Sequence, residues 1–257
     1  MKFVQILGLI LLASISSPAV SAAAAAPAGC FELRIYYAAE GKLEALNSRF
    51  REHTTALFTR HGMTNVGYWM PLENPQRRLV YLLSYPDLAA RTASWKAFQA
   101  DPEWVAVAKA SEVSGKLVDK VESRFLELTD FSPEMKVDQE GAPHIFEMRT
   151  YTATSGNFPR LLERFRKHTV ALFSKQGMRH FGYFTPPAGQ PGTDNTLIYL
   201  LVHASPEARE TSFAAFVADP EWIKVKSESE TAAGGPLTVP DGVKSELLKP
   251  TDFSPVQ

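Results

Sequence analysis

The chain has 257 residues, 45% of them hydrophobic, and its 27 lysines and arginines offset 28 aspartates and glutamates to a net charge of −1. The basic residues are scattered and form no block, which argues against a nucleic-acid footprint and leaves small molecules and proteins as partners. One cysteine, Cys30, excludes an intrachain disulfide in any compartment.

Met1-Lys2, the apolar run from Val4 to Ile15 and the small residues from Ser16 to Ala22 have the three regions of a secretory signal. The apolar run is shorter than the roughly 20 residues a membrane span needs. The expectation is an exported protein, periplasmic or secreted, cleaved near Ala22 with residues 23–29 as a disordered lead-in; an uncleaved signal anchor is the alternative. Cys30 then reads as a packed strand-end cysteine rather than a lipidation site.

Phe31, Leu33 and Ile35 alternate with Glu32, Arg34 and Tyr36, the period-two pattern of a strand. Across Lys42–Arg60 and the adjoining His61, the side chains Leu43, Leu46, Phe50, His53, Leu57 and His61 share one helical stripe, and Gly62 supplies a left-handed cap. Met63–Met70 and Leu79–Ser84 read as strands around a turn-rich connection. Asp87 opens a helical stretch interrupted at Asp101-Pro102, where aspartate caps and proline starts a second helix. Val121–Leu128 closes the unit as a strand.

Then the chain repeats itself. Phe31-Glu32-Leu33-Arg34-Ile35-Tyr36 returns as Phe146-Glu147-Met148-Arg149-Thr150-Tyr151, and Arg49-Phe50-Arg51-Glu52-His53-Thr54 as Arg164-Phe165-Arg166-Lys167-His168-Thr169, both at a shift of 115. Asp101-Pro102-Glu103-Trp104 returns as Asp219-Pro220-Glu221-Trp222, and Thr129-Asp130-Phe131-Ser132-Pro133 as Thr251-Asp252-Phe253-Ser254-Pro255. So long a period means two domains, 30–133 and 144–257, joined by a linker over 134–143. Each has the strand-helix-strand-strand-helix-strand order of a ferredoxin-like unit, which leaves one sheet face bare. Two such units in one chain cover each other, so the fold class is α+β, a single-chain dimeric α/β-barrel pseudo-dimer.

Both units resemble the NIPSNAP family in Glu32-Leu33-Arg34-Ile35-Tyr36, Arg49-Phe50-Arg51-Glu52-His53, His61-Gly62-Met63, Gly67-Tyr68-Trp69 and Asp101-Pro102-Glu103-Trp104. The second copy departs at Gln176, where the first has His61, and at Phe184, where the first has Trp69. The resemblance implies the dimeric α/β-barrel superfamily, which hosts haem enzymes, cofactor-free monooxygenases, isomerases and proteins without a known reaction. It also implies, for organellar members, roles in protein interaction and mitophagy that an exported form need not share.

His53 and His168, on the apolar stripe, are expected between helix and sheet. There an imidazole serves as a general base, a haem ligand or a core filler; no flanking residues have metal spacing, so no metal site is expected. Glu32, Arg34, Tyr36, Glu147, Arg149 and Tyr151 are expected to point into the barrel, as ion pairs sealing the sheets or as a ligand-orienting lumen. Tyr68, Trp69, Tyr81, Tyr183, Phe184 and Tyr199 place aromatics on the central hairpins, where they build a core or a pocket. Trp104 and Trp222 read as inward anchors of their helices. Phosphate-loop, nucleophile-elbow and zinc-protease signatures are missing. Three functions follow: an exported binder of a small ligand or protein, a haem-dependent or cofactor-free oxidoreductase, or an interaction domain whose lumen is self-filled. No motif implies a cofactor, and further homo-oligomerisation is open.

Overall fold

The computed structural model describes residues 29–135 and 144–257; the expected signal and most of the expected linker lie outside them. In the first unit, strand β1 (Cys30–Ala38) is followed by α1 (Leu43–Arg49), a π-helical turn (Phe50–Thr54), α2 (Thr55–Arg60), the hairpin β2 (Thr64–Pro71) and β3 (Arg78–Tyr85), α3 (Leu88–Ala100), α4 (Pro102–Ser111) and β4 (Val118–Leu128). The second repeats this as β5 (Ile145–Ala153), α5 (Phe158–Arg164), a π-helical turn (Phe165–Thr169), α6 (Val170–Lys175), β6 (Arg179–Thr185), β7 (Thr196–His203), α7 (Pro206–Ala218), α8 (Pro220–Ala233) and β8 (Thr238–Pro250). Residues 30–133 and 144–257 thus carry the expected element order. Gly62 and Gly177 end their helices at φ 77° each. Asp87 caps α3 by accepting from the Ala90 amide, and Asp101 caps α4 by accepting from Glu103.

The strands close into one barrel in the order β1-β3-β2-β8-β5-β7-β6-β4, antiparallel throughout. Each unit contributes four strands, and the seams between units are short. At one, β2 pairs with β8 over Trp69–Pro71, and at the other, β4 pairs with β6 at Glu127 and Leu128. The interior holds Phe31, Leu33, Ile35, Val66, Trp69, Val80 and Leu82 from the first unit against Phe146, Phe181, Phe184, Ile198, Leu200 and Leu248 from the second.

This reverses the expected facing. Phe31, Leu33 and Ile35 line the barrel, while Glu32, Arg34 and Tyr36, with Glu147, Arg149 and Tyr151, lie between sheet and helices. They share that layer with the cluster of Leu46, Phe50, Phe58, Tyr68, Tyr81 and Trp95 and its counterpart in the second unit. Apolar contacts therefore make most of the seal between the units: Phe31 meets Phe184 at 5.2 Å and Trp69 meets Phe146 at 5.3 Å, ring centre to ring centre.

A second correction concerns the histidines. In each first helix the backbone widens by one residue, with the Thr55 amide donating to the Phe50 carbonyl and Val170 to Phe165, five positions back. Thr54 and Thr169 reinforce the turn, their hydroxyls donating to the Arg49 and Arg164 carbonyls. The wide turn carries the buried stripe from Phe50 to Thr54, skipping His53, whose side chain is 41% exposed. His168 is likewise only half-buried.

The repeated Thr-Asp-Phe-Ser-Pro tail is an exchanged clasp. The Thr251 amide donates to the Tyr68 carbonyl, the Tyr68 amide donates to Ser254 Oγ, Phe253 packs on Phe50 and Tyr68, and Asp252 pairs bidentately with Arg51. The first copy's tail does the same to the second unit through Thr129, Ser132, Phe131 and Asp130, onto Tyr183, Phe165 and Arg166.

Gly67 follows from packing too. A bulge between Asn65 and Gly67 puts Val66 and Trp69 on the same barrel-facing side, and the Trp69 ring then lies across Gly67, leaving no room for a methyl group. In the second copy Phe184 lies over Gly182, with 2.8 Å left for a Cβ. Trp69 is fully buried and its ring has nowhere to retreat, so Gly67→Ala is expected to lower stability in urea by about 1–3 kcal/mol. In a double-mutant cycle with Trp69→Phe, part of that loss returns; a cycle that is simply additive would show that the ring is not the obstacle.

Candidate functional site

The helix–sheet layer of the first unit is organised around a buried carboxylate. Glu32 is fully buried on β1 and accepts from Arg91 on α3 in a two-pronged contact, at 2.9 and 2.7 Å. Arg34, two residues along the strand, donates to the same carboxylate, as do Ser123 of β4 (2.6 Å), Tyr85 of β3 (3.1 Å) and the indole of Trp95 (3.1 Å). Arg34 also donates to the Tyr81 hydroxyl at 2.9 Å and to the Tyr36 hydroxyl at 3.4 Å, and its guanidinium stacks on Trp95 at 4.3 Å. The second unit rebuilds the arrangement on Glu147 with Arg149, Arg209 and Ser245, and with His203 where the first has Tyr85. Phe213 stacks on Arg149 in the place of Trp95.

Burial is the largest single influence on Glu32 and pushes its carboxyl up. Arg91, Arg34 and Ser123 together outweigh it and hold the group down at about 2. Glu147 is likewise lowered: burial pushes it up, and His203, Arg209 and Arg149 pull it further down. Both carboxylates are thus held ionised in the interior by converging cations.

Beside this constellation lies a cavity of about 170 Å³, bounded by Arg34, Tyr36, Arg49, Phe50, Thr54, Phe58, Trp95, Phe98, Gln99 and Trp104. The volume corresponds to about five or six waters at roughly 30 Å³ each. Arg49 is 7% exposed, lies over Trp104 at 5.3 Å, and engages only its Nη1, with Ser111 at 3.3 Å and Glu112 at 3.1 Å; its Nε has no hydrogen-bond partner among the described residues. Arg164 of the second unit matches it, with Nη1 on Ser229 at 3.3 Å and Nε without a partner. Aromatic walls with guanidinium groups suit a compact organic anion.

The site residues expected from sequence therefore separate. Arg34 and Tyr36 line the cavity, and Glu32 sits behind them. Tyr68 and Tyr81 stack at 5.4 Å, and Tyr183 and Tyr199 at 5.1 Å, as packing beneath the helices. Trp69 and Phe184 belong to the barrel interior. His53 and His168 lie away from this cavity, His168 lining a groove between the α5 segment and α8. His61 donates from Nε2 to the capping Asp101 at 2.7 Å, and Gln176 donates to Asp219 at 2.9 Å, so the change from imidazole to amide keeps one bond to the cap. His61 and Trp69 stand in different layers and share no site. Trp104 packs on Phe98 at 4.4 Å, the inward anchor expected.

Arg91, Ser123, Tyr85, Trp95 and Arg49 acquire their roles only in three dimensions. Recurrence was the available signal: Arg91 returns as Arg209, Ser123 as Ser245 and Arg49 as Arg164, each at the local repeat shift. This cavity does not fit a haem, because no imidazole lines it and its volume is small. Among the described residues no group of three or more His, Cys, Asp or Glu could hold a metal ion.

The family model described as NIPSNAP matches residues 31–133 and 146–255. No curated protein matches the chain. Among solved structures, a NIPSNAP family protein from Agrobacterium tumefaciens is 27% identical, with 41% of this chain and 97% of that one aligned at a TM-score of 0.37. An uncharacterized NIPSNAP domain protein from Burkholderia xenovorans is 24% identical, over 41% of this chain and 99% of that one, at 0.36. A protein from Lactobacillus acidophilus described as a candidate monooxygenase aligns over 86% of this chain and 93% of its own, at 11% identity and a TM-score of 0.54, and so shares the fold alone.

The buried carboxylate makes stability depend on pH. Because the folded Glu32 carboxyl titrates at about 2 and an ordinary one at 4.5, its contribution is complete above the ordinary value and is lost as pH falls from there toward about 2. The shift corresponds to about 3 kcal/mol. Urea unfolding between pH 6 and pH 2 is expected to show this slope, and Glu32→Gln to flatten it. At neutral pH that variant leaves Arg34 and Arg91 without their counter-charge and is expected to cost about 3–5 kcal/mol; an unchanged profile would show that the carboxylate is not the organising charge.

Proposed function

The chain belongs to the NIPSNAP family, and we propose that its first unit binds a small organic anion in the cavity between helices and sheet. Arg49 is the observation that carries the reading: a buried guanidinium at an aromatic cavity, with one nitrogen engaged and Nε without a partner among the described residues. A carboxylate that reached Arg49 and Arg34 would gain charge-assisted hydrogen bonds in a low-dielectric layer, and its apolar body would meet Phe50, Phe58, Phe98 and Trp104. Glu32 contributes by position: it fixes Arg34 from behind and balances its charge, so that the wall is already in place when the ligand arrives.

Benzoate is the probe that matches this chemistry. Calorimetric titration of the full chain is expected to give saturable binding. Arg49→Met is expected to weaken it by at least tenfold, about 1.4 kcal/mol, while Arg164→Met leaves it within twofold. Equal effects of the two variants, or no binding to the unaltered chain, would overturn the assignment to the first unit.

The second part of the proposal is that the chain acts outside the cytoplasm. Its support is the sequence of residues 1–22, with a charged start, an apolar run and a small-residue end. Intact mass of the protein from an exported fraction is expected to lack those residues; a full-length mass in a membrane pellet would instead establish a retained anchor.

A further inference from the structure

The barrel is not filled along its whole length. Toward the ends of β1 and β5 a cleft of about 500 Å³ opens between the two sheets, with walls drawn from β1, β3, β4, β5, β7 and β8. Its floor is the apolar interior: Leu33, Ile35, Met148 and Ile198. Its volume lies within the range typical of small-molecule sites.

The rim is charged, and its charges do not cancel. Arg78 is paired across the units with Glu246, and Glu122 is paired with Lys120 at 2.6 Å and accepts from Tyr37 at 3.0 Å. Lys120 pulls the Glu122 carboxyl down, so it stays ionised and its partners stay occupied. Arg124 and Lys244 also line the cleft; among the described residues neither makes a hydrogen bond or an ion pair within 4 Å, though Arg124 adds a through-space pull on Glu122. In the repeat Lys244 is equivalent to Glu122 and Glu246 to Arg124, so the two copies carry reversed charges at matching positions. That reversal supplies the Arg78–Glu246 bridge and leaves two cations over an apolar floor.

We infer that this mouth of the barrel is a second ligand site, distinct from the cavity at Arg49, and that it takes an amphipathic monoanion: a medium-chain aliphatic carboxylate with its tail on Ile35 and Ile198 and its head between Arg124 and Lys244. Apolar floor and cationic rim divide the work. The floor supplies affinity through buried area, at roughly 25 cal/mol per Å², and the rim selects the charged head over a neutral one. An anion without an apolar tail would leave the floor wet, and a neutral amphiphile would leave the two cations unused.

Decanoate and 1-decanol, titrated into the full chain at low salt, separate these contributions. Decanoate is expected to bind at least tenfold more tightly than decanol. The double variant Arg124→Gln/Lys244→Gln changes only exposed side chains and is expected to bring decanoate down to the level of decanol. Thr150→Trp, which fills the mouth from a half-buried position, is expected to abolish binding of both. Decanoate bound no better than decanol, or bound unchanged by the double variant or by Thr150→Trp, would overturn the site. Benzoate binding to the double variant serves as the independent control: it reports on the Arg49 cavity and is expected to be unaffected, so the two sites fail or stand separately.

Discussion

Each sheet in this protein has two faces to bury and helices for only one of them. On β1, Phe31, Leu33 and Ile35 present one apolar face, and on β5 Phe146 presents the corresponding one. Left in water, that surface would cost solubility and stability together. A second sheet of the same kind is the solution adopted. The tandem repeat, the closed barrel and the exchanged tails all follow from that requirement. The seams have few backbone hydrogen bonds, so side-chain packing across the interior and the Thr-Asp-Phe-Ser-Pro clasps carry the union of the two units. Covalent linkage in one chain removes the concentration dependence that two separate units would face.

Much of this was legible in the residues. Periodicity located the strands, the caps at Asp87, Asp101 and Gly62 bounded the helices, and the repeat implied that sheet covers sheet. Facing was not legible, for a physical reason. Both faces of β1 are buried, and alternation distinguishes two faces without saying which goes inward. Glu32 and Arg34 are expected from sequence inside the barrel, as sealing ion pairs or a ligand-orienting lumen, yet between sheet and helices they neutralise one another and meet Arg91, Tyr85, Trp95 and Ser123 from other elements. A buried charge is tolerated when its partners surround it, and those partners are far from it in sequence. His53 was misplaced for a different reason. A stripe drawn at ordinary helical spacing cannot register the one-residue widening at Phe50–Thr54, which puts Thr54 where a histidine was expected.

The two copies keep the framework and vary what touches it. Glu32 with its two arginines and serine reappears intact as Glu147 with Arg149, Arg209 and Ser245, whereas Tyr85 becomes His203 and Trp95 becomes Phe213. The preserved members are the charged groups, whose loss would leave a buried charge unbalanced, and one serine hydroxyl, while the variable ones supply single hydrogen bonds or ring surface. The copies have therefore diverged where the electrostatic cost is smallest, and one such position, Trp95, is in the wall of the first unit's cavity.

The same logic separates this cavity from the barrel mouth. In the helix–sheet layer the buried guanidiniums of Arg34, Arg49 and Arg91 are tied to residues of their own unit, so charge is balanced locally and either copy could carry a site by itself. At the mouth the balance is reached across the units: Arg78 finds Glu246 only because a glutamate stands where the first copy has Arg124. A barrel of two first copies would set Arg78 against an arginine there and repel its own halves. Charge reversal between the copies removes that repulsion and adds an attraction, and it does so only in a chain whose two halves are free to differ. Fusion of the units thus did more than hold them together; it allowed the interior of the barrel to become asymmetric, which no pair of identical subunits could achieve.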